Sequence, residues 1–85
     1  MKGFIEFLVK SLVKNPEAVS IEESGDSSNF RYVVTVDPSD MGLVIGKEGH
    51  TINAIRLLAK AKAVKTGVWV DVELTDSNGS RDAQN

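Results

Sequence analysis

Apolar residues recur at helical spacing over residues 2 to 14: Phe4, Phe7, Leu8 and Leu12 form a stripe that Ile5, Val9 and Val13 widen. The pattern predicts an opening helix with Phe4 and Phe7 in the core. Asn15-Pro16 ends it, because proline pushes the residue before it out of the α region. The period then changes to two. Val19 and Ile21 alternate with polar neighbours, and in FRYVVTV, residues 30 to 36, Phe30, Tyr32, Val34 and Val36 share one face. A GDSSN loop joins these two segments, so they read as a hairpin. Asp37-Pro38-Ser39-Asp40 is a turn that also offers helix caps. A short apolar helix, MGLVI, runs into Gly46. A longer helix starts after Gly49 and continues to about Lys65, with Gly67 as its C-cap. Last comes VWVDVEL, with Val68, Val70, Val72 and Leu74 inward and Trp69, Asp71 and Glu73 outward. Trp69 could stack a base there, but packing under the first helix or at a dimer contact is the favoured expectation. The closing DSNGSRDAQN is almost wholly polar and is expected to be disordered. The order is α-β-β-α-α-β. It predicts one α+β domain over residues 1–76, a three-stranded sheet with three helices on one face, and a tail over 77–85.

Composition narrows what such a domain does. The 85-residue chain has no cysteine and a single histidine, which leaves no thiolate metal site, no disulfide and no histidine cluster. No apolar run approaches the roughly 20 residues needed to span a bilayer. Glu6, Lys10 and Lys14 interrupt any leader-like core. A cytoplasmic setting without membrane attachment is therefore expected. Net charge is −2, too acidic to coat nucleic acid by charge alone. The charge is nevertheless divided. Residues 47 to 65 hold five basic residues and one acid, while residues 17 to 40 hold six acids and one arginine.

The basic half begins at Val44-Ile45-Gly46-Lys47-Glu48-Gly49-His50-Thr51-Ile52. A P-loop would need four residues between its glycines and a hydroxyl after the lysine. Gly42 to Gly46 is one residue short, and Glu48 stands where the hydroxyl belongs. A dinucleotide fingerprint would need glycine at Val44 and a preceding strand. Both are rejected. A glycine pair joining two helices lets the backbone turn sharply and admits a phosphate with no Cβ in the way. The helix beyond Gly49 offers unpaired N–H groups and its positive dipole end, and Lys47 adds a cation at the tip. Glu48 works against an anion unless it points to solvent. Along the long helix Asn53, Arg56 and Lys60 form one polar stripe. Ile52, Ala54, Ile55, Leu57, Leu58, Ala59, Ala61 and Val64 fill most of the remaining circumference, so the helix is expected to be buried over much of its surface. Arg56 and Lys60 are candidates for phosphate contacts, with plain solvation of one face the equal alternative.

These residues resemble the V-I-G-x-x-G-x-x-I signature of KH domains. The element order resembles the type II KH fold over nearly the whole chain, and a stand-alone domain of this length is similar to the bacterial KhpA family of small RNA-binding proteins. The resemblance implies a single-stranded RNA partner held by a GXXG loop. The implied site is Ile45, Gly46, Lys47, Glu48, Gly49, His50, Asn53, Arg56 and Lys60, with no cofactor and no metal. It also implies a homodimer or a heterodimer with a KhpB/Jag-type protein, and an RNA-chaperone or post-transcriptional role linked to cell-envelope homeostasis and cell elongation. A protein-interaction module, with the KH fold kept for assembly and RNA contact minor, is the alternative that net charge and Glu48 favour. An enzyme is not expected: with no cysteine and one histidine only paired carboxylates remain, and Asp37 with Asp40 is better explained by a turn and cap.

Overall fold

The computed structural model describes residues 1 to 79. Six elements follow the predicted order: α1 (Lys2–Lys10), β1 (Ser20–Gly25), β2 (Asn29–Val36), α2 (Met41–Ile45), α3 (His50–Thr66) and β3 (Trp69–Asp76). Short 3₁₀ turns at Pro16–Ala18, Pro38–Asp40 and Lys47–Gly49 link them. The sheet is mixed, in the order β1-β2-β3. β1 pairs antiparallel with β2, and β2 pairs parallel with β3 in a register that sets Asn29 beside Trp69 and Val36 beside Asp76. Parallel pairing requires a crossover, and α2, the glycine loop and α3 supply it.

The core follows the strand alternation. Tyr32, Val34, Val36, Val70, Val72 and Leu74 are buried on one face of the sheet, under Ile5 and Val9 of α1, Val44 of α2, and Ile52, Ile55, Ala59 and Ala63 of α3. Each fully buried aliphatic side chain contributes roughly 1.5–3 kcal/mol. The Tyr32 hydroxyl donates to Glu23 Oε2 across the hairpin at 2.8 Å. On the opposite face Arg31 is ion-paired with Glu73.

Four expectations need correction. The first helix stops at Lys10 rather than near residue 14, because the Lys14 and Asn15 amides are captured by the Asp40 carboxylate, at 3.2 and 3.0 Å. The buried line of α1 is Ile5 and Val9; Phe7 is 68% exposed, and Phe4 is half-buried with the Lys62 ammonium 5.2 Å from its ring centre. α3 is buried only along Ile52, Ile55, Ala59 and Ala63, so Leu57, Leu58 and Val64 lie open. One sheet has only one helical layer, and the outer half of α3 has nothing to pack on. Trp69 is likewise exposed, at 78%, because all three helices lie on the other face of the sheet.

The first residues of the expected tail are hydrogen-bonded to the domain. Ser77 N–H donates to Val36 O at 3.0 Å, and Asn78 and Gly79 close a turn on Asp76. The rest of that expectation, residues 80–85, lies outside the described residues.

Candidate nucleic-acid interface

α2 ends because Gly46 adopts φ 76°, ψ 176°, a conformation essentially restricted to glycine. Its N–H still closes the last turn on Gly42 O at 2.9 Å. A Cβ at Gly46 would collide with the Thr51 side chain and come within 2.9 Å of the Thr51 backbone nitrogen. Glu48 then takes a left-handed conformation, φ 55° and ψ 27°, and Gly49 a second at φ 77°, ψ 9°. Gly49 N–H donates to Gly46 O at 3.2 Å, closing a single tight turn from which α3 departs. No side chain caps the start of α3, and the His50 N–H donates back to Lys47 O within the turn.

Lys47, Glu48 and His50 are exposed around this turn, while Ile45 is half-buried beneath it. His50 Nε2 lies 3.8 Å from Glu48 Oε1, with both side chains about three-quarters exposed. Glu48 thus projects toward His50 and solvent, leaving the lysine and the bare backbone at the tip. No group of three or more metal-ligating side chains occurs among the described residues.

The polar stripe on α3 divides in two. Arg56 reaches across to β3 and donates through Nε to Val72 O at 3.0 Å, with Nη1 3.5 Å from Asn53 Oδ1. Asn53 and Arg56 therefore sit side by side where α3 meets the edge strand, and Arg56 braces that junction. Lys60 is exposed one turn further along α3, where it lines an open cavity of about 580 Å³ together with Arg31 and Trp69. The structure brings Ile45 through His50 together at one end, Asn53 and Arg56 in the middle, and Lys60 at the other end. Trp69 was absent from the predicted site; its outward register was legible, but that it would remain uncovered was not.

A three-stranded mixed sheet, one helical layer and a Gly-x-x-Gly turn between two helices define a KH domain. The chain belongs to the KhpA/KhpB KH-domain family, whose sequence profile matches residues 2–74. It is 41% identical over 76 residues to the RNA-binding protein KhpA of Chlamydia trachomatis serovar D, covering 89% of this chain and 97% of that one. It is 42% identical over 74 residues to KhpA of Clostridium perfringens, covering 87% and 99% respectively. KhpA of Halalkalibacterium halodurans is 36% identical over 76 residues, with 89% and 100% covered.

Proposed function

We propose that this chain is an RNA-binding protein that holds single-stranded RNA at the Gly46–Gly49 turn. The observation that carries this reading is the turn itself: two glycines in left-handed or glycine-only conformations, a helix start with no side-chain cap and an exposed Lys47, all within one tight turn. A phosphate seated there receives backbone N–H groups and the positive end of α3. The strand then runs along the α3–β3 junction past Asn53 and Arg56, and the domain engages about four nucleotides. The names of the relatives support RNA as the ligand. A cytoplasmic, non-enzymatic, post-transcriptional or RNA-chaperone role, with its link to cell-envelope homeostasis and elongation, rests on the family resemblance alone. No helix among the described residues is long and apolar enough to cross a membrane.

The test is binding to a mixed pool of short single-stranded RNAs at two salt concentrations. The intact protein is compared with a Lys47→Asp, Glu48→Asp double variant. Aspartate tolerates the left-handed conformation of Glu48, so the variant keeps the turn and alters only its charge. Salt-sensitive binding by the parent, lost in the variant with its circular dichroism unchanged, is the expected result. Equal binding by both proteins would move RNA off this loop.

A second reading is favoured by a separate observation. Leu57, Leu58 and Val64 lie on the outer side of α3 at 69%, 47% and 78% exposure. This face suits a helix of a second copy or of a KhpB-type partner. Self-association weakened by Leu57→Asp in sedimentation, with RNA binding retained per protomer, would assign this face to assembly.

A further inference from the structure

Two open cavities lie away from the glycine turn. Of about 580 and 300 Å³, they share Lys60, Trp69 and Val70 in their walls and sit where α3 ends and β3 begins. The first has a mostly apolar lining to which Phe30 and Trp69 contribute, with the polar side chains of Asn29, Arg31 and Asp71 also in its wall. The second is apolar, with Ala63, Val64 and Val68 in its walls. Trp69 belongs to both and is 78% exposed. Its backbone is fixed, since its N–H donates to Ser28 O at 2.8 Å and it is paired with Asn29 in the sheet. A large ring held out from a rigid strand loses little freedom when a flat ligand stacks on it. Arg31 is engaged by Glu73, and Asp71 is acidic, so the cation available to an anion at this cleft is Lys60, which has no ion-pair partner among the described residues.

We propose that Trp69 is a stacking platform for an unpaired nucleobase, with Lys60 meeting the adjoining phosphate. The proposal rests on the RNA reading above and lengthens its footprint. The polar stripe of Asn53, Arg56 and Lys60 leads directly from the glycine turn to this cleft. Eleven residues of α3 separate Gly49 from Lys60, about 16 Å at 1.5 Å per residue. A strand that keeps a stacked, duplex-like rise of about 3.4 Å per nucleotide covers that distance with about five nucleotides. A tetranucleotide bound at the turn therefore stops short of Trp69, whereas an octanucleotide reaches it. An aromatic face accepts any base, so the platform adds affinity without sequence preference.

Trp69 is the chain's single tryptophan, so its emission reports on this site alone. The experiment titrates the full chain with mixed-sequence RNAs of four and eight nucleotides, following emission and affinity. The variants are Trp69→Ala, Trp69→Phe and the Lys47→Asp, Glu48→Asp pair. Quenching by the octamer but not by the tetramer is expected. Trp69→Ala should weaken octamer binding roughly 5- to 100-fold and leave tetramer binding within twofold, and Trp69→Phe should recover most of the loss. If Trp69→Ala binds both RNAs like the parent while the loop variant still loses them, the platform is refuted and the RNA reading stands. A Trp69→Ala protein with unchanged RNA affinity but weakened self-association would assign the indole to a protein contact and overturn the proposal. If the parent binds neither RNA, the RNA reading itself fails.

Discussion

The two glycines of the turn are not equivalent, and alanine substitution should separate them. At Gly49 an added Cβ would lie 3.7 Å from Asn53 Nδ2, an ordinary contact. The cost is that of a non-glycine residue in the left-handed region, about 1–2 kcal/mol. Restricting the unfolded chain returns about 0.4–1 kcal/mol. Gly49→Ala should therefore destabilise by about 0–1.6 kcal/mol. Gly46 occupies a conformation worth about 1–3 kcal/mol to a residue with a side chain. Its Cβ would also meet Thr51, including that residue's backbone nitrogen at 2.9 Å, which is part of the first turn of α3 and cannot swing aside. Overpacking of this kind costs a further 1–3 kcal/mol or so. With the same return from the unfolded chain, the net for Gly46→Ala is about 1–5.5 kcal/mol, centred near 3.

Urea and thermal unfolding of the two variants decide the matter. At about 4–8 °C per kcal/mol for a domain of this size, Gly49→Ala should lower Tm by a few degrees and Gly46→Ala by 10 °C or more. Thr51→Ala in the Gly46→Ala background should return only part of the loss, because the Thr51 Cβ and backbone nitrogen remain. Equal destabilisation by the two alanines, or a larger loss at Gly49, would refute the steric account of the turn.

Asp40 is buried, and its carboxylate accepts the Lys14 and Asn15 amides and the Asn15 side chain, the last at 3.1 Å. Asp40→Ala strands these donors and should cost about 3 kcal/mol in urea unfolding; a loss below about 1 kcal/mol would refute the role. Asp40→Asn should also destabilise, since its two acceptor oxygens are replaced by one and the new amide faces an N–H. The Tyr32 hydroxyl is pushed up to about 12 by burial, then by its hydrogen bond to Glu23 and that carboxylate's charge. Its folded value lies above the 10.0 of an unperturbed tyrosine, so its contribution to stability is complete below pH 10 and is lost as pH rises from there toward 12. Absorbance titration of this single tyrosine should show ionisation delayed until the protein unfolds in alkali, and a midpoint near 10 in the folded protein would contradict it.

What could be read from the chain was whatever its own neighbours decide. Gly46 and Gly67 punctuate the helices locally, so α2 and the end of α3 fall where the residues place them. The β3 alternation is equally self-contained. What escaped depended on distant partners. Asp40, 25 and 26 residues from Asn15 and Lys14, removes the last turn of the first helix by taking its amides. Phe7, Leu57, Leu58 and Val64 match a helical core pattern, but burial is decided by the number of layers, and this sheet is covered on one side only. Apolar periodicity marks which faces of a helix prefer to leave water; it does not say whether the same chain provides the cover.

The position of α3 bears on how an acidic chain could present the cationic path proposed above. α3 packs against β3, the edge strand, rather than over the middle of the sheet. On β3 the Trp69 N–H points to β2, as does the Ser77 N–H beyond the strand, so alternation turns the backbone groups of Val70, Val72 and Leu74 to the open edge. An uncovered edge invites another strand. Arg56 occupies this one by donating to Val72 O, which both blocks strand addition and fixes a guanidinium at the junction with α3. The acids of residues 17 to 40 lie mostly on the hairpin and the Asp37 turn, away from this edge. Net charge therefore says little about the ligand here. On the proposed reading, the placement of Lys47, Arg56 and Lys60 along one helix and its approach loop sets the path of an anionic strand.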